Sequence, residues 1–250
     1  MKSTRKIIPA LVMLLVSAIM LSTASFAWLA SSTSVSAGPM TVQANTDVVF
    51  MQISNSDAQD ATWGRTATAL TPASGDLELV NAYVNEGSIA WRTAKGYDPE
   101  LHAPEEDENQ DAIYTPVNTI DGTYALINTF YVKMSNAEST LTKLTISGVA
   151  VTGTPIDAET FDAALRVLVV AEKSGAVEGY QCWDLGTNTF STANGFDAAD
   201  ILADIVDAEA ITLKVYVYYD GEDEKAFTNN LSTASNSREI TVSFSATQNP

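Results

Sequence analysis

The sequence has little of the two side chains on which most metal and nucleophile chemistry depends. Among 250 residues it holds one cysteine, Cys182, and one histidine, His102. A lone cysteine excludes an internal disulfide framework and any metal site built from several cysteines. A lone histidine excludes zinc motifs with two or more imidazoles, and any Ser-His-Asp or Cys-His pair would have to use that same residue. We therefore expect no catalytic residues and no enzyme.

Basic residues are also scarce. The chain has 13 Lys and Arg against 31 Asp and Glu, a formal net charge of -18. Such a surface repels phosphates, so a nucleic-acid partner is excluded. Because 46% of the residues are apolar and only 18% are charged, the chain can bury a real core and is not fully disordered.

The first thirty residues have the composition of a targeting segment. Met1–Lys6 carries three positive charges and no acid, and Ile7–Ala30 has no charged residue. A basic start, an apolar stretch and small residues before a cut are typical of a secretory signal peptide. We expect the folded part to lie outside the cytoplasm.

Small residues offer two places for signal cleavage. Ser25-Phe26-Ala27 predicts a cut between Ala27 and Trp28, which defines a signal peptide over residues 1–27. A cut after Val35-Ser36-Ala37 also fits the pattern. An uncleaved anchor is the alternative, because 24 uncharged residues are long enough to span a bilayer.

Most of the remaining chain has the alternating pattern of β-strands. Two short segments instead have apolar residues at helical spacing: Asp157–Leu165, with Asp157 as N-cap, and Asp197–Ala208. We predict a mainly β, antiparallel β-sandwich with short helical insertions, in a single domain over 40–250 that follows a tail over 28–39. The predicted strands lie within Met40–Ile53 (strand, turn, strand), Leu77–Val84, Tyr124–Met134, Leu141–Val151, Arg166–Ala171, its hairpin mate Tyr180–Leu185, Ile211–Tyr219 and Glu239–Ala246.

Two acidic segments interrupt this pattern. Residues 92–116 form a predicted long surface loop, with seven acids between Asp98 and Asp111. Asp220-Gly221-Glu222-Asp223 predicts the turn of a hairpin after Ile211–Tyr219. Carboxylates in these segments are weak Ca²⁺ candidates, although the loop lacks EF-hand spacing and a solvated charged loop is the alternative. The candidates are Glu105, Glu106, Asp107, Asp220 and Asp223; no other cofactor is expected.

Three other residues have competing interpretations. His102 is predicted to be an ordinary loop histidine, and Cys182 a small buried hydrophobic residue. The indoles of Trp63 and Trp91 could stack on sugar rings, but capping of the core is the simpler use.

A family resemblance rests on several segments in a particular order. They are the signal ending Ser25-Phe26-Ala27-Trp28-Leu29-Ala30, the short helix leading into a strand at Asp157–Ala171, the acidic turn at Asp220–Glu224, and the closing Ser243-Phe244-Ser245-Ala246-Thr247-Gln248. Together they resemble the TasA/camelysin family of secreted proteins of Gram-positive bacteria, whose signals are cut by a dedicated SipW-type signal peptidase. The resemblance implies a jelly-roll sandwich and, for TasA-like members, extracellular fibres of a biofilm matrix. The acidic insertion departs from that pattern.

A mode of assembly follows from the predicted tail. A sandwich with an incomplete sheet exposes unpaired backbone groups that another extended segment can pair with. The tail freed by signal cleavage, Trp28–Ala37, contains no proline, and Leu29, Ser31, Thr33, Val35 and Ala37 would lie on one face of it as mainly small or β-branched residues. About six ladder hydrogen bonds, at about 0.5–1.5 kcal/mol each, would hold such a strand. The contact is head-to-tail and therefore propagates into fibres; the alternative is a disordered N-terminus.

The sequence thus predicts a secreted structural protein that associates with itself by β-strand addition at the cell surface or outside the cell. Two alternatives stay open. One is a camelysin-type secreted metallopeptidase, which the resemblance suggests although no zinc motif is present. The other is a monomeric surface module that binds Ca²⁺ or glycans.

Overall fold

A computed structural model describes residues 34–37, 51–69, 77–93, 115–135, 140–205, 209–226 and 238–249. These residues belong to one compact unit, Thr33–Pro250. They form a short 3-10 helix, Phe161–Ala164, and thirteen strands: β1 (Ser34–Ala37), β2 (Met51–Ser54), β3 (Val80–Asn85), β4 (Ser88–Thr93), β5 (Thr115–Pro116), β6 (Ala125–Met134), β7 (Thr140–Gly153), β8 (Leu165–Lys173), β9 (Ala176–Asp184), β10 (Thr189–Phe190), β11 (Ala203–Ile205), β12 (Ile211–Tyr219) and β13 (Arg238–Asn249).

The strands form three antiparallel sheets. One has four strands in the order β1-β13-β7-β11, the second has six in the order β10-β9-β8-β12-β6-β2, and the third has three in the order β3-β4-β5. The mainly β antiparallel sandwich predicted from the sequence is confirmed. The predicted signal helix lies outside the described residues.

The main core lies between the four-stranded and six-stranded sheets. Alternation places one face of each strand inward, as in β12, where Ile211, Leu213, Val215 and Val217 are buried. They pack in one cluster with residues of β7 and β13, including Leu144 and Phe244. Burial on this scale, at about 25 cal/mol per Å² of apolar surface, is the main force that holds the two sheets together.

The three-stranded sheet packs against a second cluster on the six-stranded sheet. Trp91 of β4 lies with its ring centroid 5.4 Å from that of Tyr216 and 5.1 Å from that of Tyr218. Cys182 and Leu168 are buried in the same cluster. Because β8 is covered on both faces, its sequence reads as a continuous apolar run rather than an alternation. The predictions that Trp91 and Cys182 contribute to the core are confirmed.

Two of the hairpins have turns that require left-handed backbone. Glu86-Gly87 joins β3 to β4 and Ser174-Gly175 joins β8 to β9, and all four residues have positive φ. Such two-residue turns twist in the same sense as the strands they connect. The predicted pairing of Arg166–Ala171 with Tyr180–Leu185 is confirmed by the β8–β9 ladder.

The structure corrects the two predicted helices. Asp157–Leu165 contains only the 3-10 helix, whose N-cap is Thr160 rather than Asp157. The second prediction, Asp197–Ala208, is wrong, because its residues include strand β11, which pairs with β7. Leu202, Ala203 and Ile205 are buried in the main core there. The backbone pairing and burial that this segment gains at the edge of β7 outweigh the helical spacing of its apolar residues.

The predicted hairpin after β12 is also wrong. β12 lies between β6 and β8, not beside β13. The turn at Asp220–Asp223 instead folds inward, with Asp220 only 5% exposed.

Within the described ranges, no helix is long and apolar enough to cross a membrane. The following lie outside those ranges: the signal peptide and its cut at Ala27 and Trp28, the tail residues Leu29, Ser31 and Thr33, and the acidic-loop residues His102, Glu105, Glu106 and Asp107.

Candidate assembly edge

The sequence-predicted donor segment lies, in part, on the edge of the four-stranded sheet. Its residues 34–37 form β1, which pairs antiparallel with β13 of the same chain. The register joins Ser34 to Ser245 and Ala37 to Val242. Val35 and Ala37, two of the predicted donor positions, therefore have a strand partner in the structure.

β1 covers only part of the edge that it meets. β13 has 12 residues and β1 pairs with four of them, Val242–Ser245. On its other side β13 pairs with β7 along most of its length. Among the described residues, the rest of the outer edge of β13 has no strand partner. An uncovered row of N–H and C=O groups is what an added strand requires.

The side chains of β13 suit strand pairing. Val242 and Phe244 are fully buried toward the core, whereas Thr241, Ser243 and Ser245 are partly exposed on the opposite face. From Thr241 to Thr247 the strand has no charge and no proline, so it lacks the usual features that prevent edge-to-edge association.

Other described edges are also covered only in part: β11 pairs with β7 only between Leu141 and Leu144, and β10 pairs with β9 only at Trp183 and Asp184. Ile53 of β2 exchanges two backbone hydrogen bonds with Gly64, at 2.8 and 3.1 Å. The edge strands β10 and β11 have two and three residues. Next to β11, the side chain of Gln181 closes part of the β7 edge by accepting the Ile146 N–H at 2.7 Å. What distinguishes the edge of β13 from these edges is that the predicted donor segment lies on it, through the pairing of β1 with Val242–Ser245.

The first residue of β13 is held by a buried ion pair. The Arg238 guanidinium lies 2.6 Å from Asp162 Oδ2, and their side chains are 6% and 0% exposed. Arg238 also donates to the carbonyl oxygens of Thr154, at 2.8 Å, and Pro155, at 3.3 Å. Tyr219 donates to Asp162 Oδ1 at 2.8 Å. This group ties β13 to the end of β7, to the 3-10 helix and to β12.

A second buried cluster contains two of the Ca²⁺ candidates. Asp220 and Asp223 both face Arg166, whose guanidinium also lies 3.1 Å from Asp184 Oδ1. Burial acts to lower the pKa of Arg166, but the three aspartates raise it above its ordinary value. Burial raises the pKa of Asp220 against the opposing effect of Arg166. Within the described ranges, no group of three or more His, Cys, Asp or Glu is arranged to hold a metal ion.

Cys182 and Trp63, the two other residues considered for chemistry or ligand binding, both have protein side chains against them. Burial raises the pKa of Cys182 to about 12, and its sulfur lies 3.8 Å from Tyr218 Oη. A thiol with that pKa is not a nucleophile at neutral pH. The Lys133 ammonium lies 3.9 Å from the centroid of the Trp63 ring, so a cation occupies one face of that indole.

Sequence reasoning missed Arg238, Asp162 and Gln181. A signal was present for Gln181, since a polar residue between Tyr180 and Cys182 in an apolar strand needs a buried partner. The sequence gives no such signal for Arg238, because a charged residue at the start of a strand is usually solvated.

Compared with known proteins, the chain matches no family model, no curated protein and no solved structure.

Proposed function

We propose that this chain is a secreted structural subunit of an extracellular or cell-surface fibre of the biofilm-matrix type. Subunits would assemble head-to-tail by β-strand addition, as the resemblance to the TasA/camelysin family also implies. The observation that carries the proposal is the pairing of residues 34–37 with an outer edge of β13 that extends beyond them.

The pairing within one chain suggests how subunits join. A segment that pairs with β13 of its own chain can pair with β13 of a neighbour in the same register, and the same hydrogen bonds form. The free-energy difference is then small, and concentration decides which arrangement is populated. Residues 28–33 would lengthen the added strand past Ser245, because Ser34 pairs with Ser245 and, among the described residues, Ala246–Asn249 of β13 have no strand partner on this edge.

Secretion and charge fit this role. Cleavage before Trp28, by a dedicated signal peptidase or an ordinary one, would free the N-terminus of the added segment. Cleavage removes three basic residues and no acid, which takes the net charge from -18 to -21. This charge keeps separate subunits apart in solution, while the uncharged stretch Thr241–Thr247 lets one strand approach.

A proline substitution tests the proposal. Val35→Pro removes a backbone N–H and prevents regular pairing of the tail, whereas Val35→Thr, the matched control, keeps strand propensity. We expect the purified proline variant to keep the near-UV circular dichroism of the folded sandwich but to form no filaments in negative-stain electron microscopy. The threonine variant should form them. Filaments from Val35→Pro at the rate of the parent protein would contradict strand addition.

A further inference from the structure

The pairing of β7 with β13 is irregular in the part of β13 that β1 also pairs with. The β7–β13 ladder is continuous from Arg238↔Gly153 to Ser243↔Gly148, then shifts register between Ser243 and Phe244, and again between Ser245 and Thr247. Residues 242–245, which pair with β1, span the first shift. Because side chains alternate with a period of two, a slip of β13 by two residues would keep the same faces toward the core and toward solvent, so alternation alone does not exclude it. A directional contact at the regular end of the strand can exclude it.

The regular end begins at Arg238, which makes directional contacts to fixed groups. Its guanidinium meets Asp162 Oδ2 at 2.6 Å and the carbonyl oxygen of Thr154 at 2.8 Å. Asp162 is itself held by the Tyr219 hydroxyl at 2.8 Å. A slip of β13 by two residues would carry Arg238 about 6.6–6.8 Å along the sheet. The buried carboxylate of Asp162 would then lose its charged partner.

We propose that the Arg238–Asp162 pair sets the register of β13 and thereby positions the edge that receives the added strand. Arg238 is a positioning residue: it makes no described contact with β1 but decides which residues of β13 face it. The role of Arg238 in assembly rests on the proposed strand addition. Its control of the register of β13 does not, because that register is a property of the single chain.

Cysteine pairs on the outer face of the sheet report this register directly. Thr241 is opposite Ala150 in the observed register, and a two-residue slip of β13 toward the Gly153 end of β7 would bring it opposite Thr152. The crosslinkable proteins are Ala150→Cys with Thr241→Cys, and Thr152→Cys with Thr241→Cys. Ala150 and Thr152 are exposed, and the buried Cys182, with a pKa of about 12, should not compete for the oxidant.

We expect the Ala150/Thr241 pair to form the disulfide in the purified protein and the Thr152/Thr241 pair to form little. Arg238→Met should lower the ratio of the first crosslink to the second at least tenfold. Arg238→Lys should restore most of the ratio, because an ammonium can still pair with Asp162. Arg92→Met, the matched control, removes an arginine that pairs with Glu222 near the three-stranded sheet and should leave the ratio unchanged.

A ratio within twofold of the parent in folded Arg238→Met would overturn the inference. If that variant does not fold, Asp162→Asn decides in its place, since it removes the charge but keeps the volume of the side chain. Filament growth separates the two proposals. Parent protein that forms no filaments contradicts strand addition, whereas slipped Arg238→Met that forms filaments at the parent rate contradicts only the positioning role.

Discussion

Gln181 of β9 accepts a hydrogen bond from the backbone N–H of Ile146 of β7, at 2.7 Å, and so joins the six-stranded sheet to the four-stranded sheet. The same oxygen accepts from the Thr145 hydroxyl at 3.1 Å. The Gln181 amide nitrogen donates to the carbonyl oxygen of Asp200. One side chain, 2% exposed, thus satisfies backbone groups on two neighbouring segments where regular pairing of β7 with β11 has ended.

Gln181→Leu should lower the free energy of unfolding by about 1–3 kcal/mol, because it leaves the buried N–H of Ile146 and the partly buried carbonyl of Asp200 without this partner. Urea unfolding followed by tryptophan fluorescence measures this. Gln52→Leu, on the half-buried outer position of β2, is the matched control and should change stability by less than about 0.5 kcal/mol. Equal effects of the two substitutions would refute the bridging role of Gln181.

Arg166→Met should destabilise the protein by about 3–5 kcal/mol, because it removes the cation that faces the carboxylates of Asp184, Asp220 and Asp223. Denaturant unfolding near neutral pH gives the value. Arg65→Met, at an exposed position, serves as the comparison, and a matching small change at Arg166 would show that the cluster contributes little.

The raised pKa of Asp220 predicts a particular pH dependence. Burial raises it above the ordinary 3.8, so between 3.8 and the raised value the folded state binds more protons than the unfolded state. The contribution of Asp220 to stability is therefore largest in acid and is lost as the pH rises through the folded pKa. Asp220→Asn cannot titrate at this position. Its stability relative to the parent should improve as the pH rises above about 4; a constant difference in urea unfolding across the pH range would contradict the shift.

Most strands could be predicted from the sequence, but the buried polar contacts between distant residues could not. The bounds of β12 match the predicted Ile211–Tyr219, because alternating β-branched and aromatic residues leave little choice of structure. The segment that contains β11 was predicted as a helix, since its spacing is helical and only the edge of β7 makes it a strand. Arg238 and Asp162 are 76 positions apart in the chain. No local pattern indicates that they meet, because their contact exists only once the two sheets have packed.

Gly179→Ala should be among the most damaging single-atom additions in the chain. A Cβ at this position of β9 would lie 2.2 Å from the Ile201 carbonyl oxygen and 2.6 Å from that of Leu202, both of them backbone atoms. The strand or the 201–202 segment must move, which would disturb Leu202 in the core and the entry to β11. We expect a loss of at least about 2 kcal/mol in denaturant unfolding, from overpacking against backbone. Gly148→Ala of β7, where an added Cβ meets nothing within 4 Å, is the control and should stay within about 1 kcal/mol of the parent. If Gly179→Ala is as stable as this control, residues 201–202 do not pack on β9 as described, and the route by which the chain reaches β11 is different.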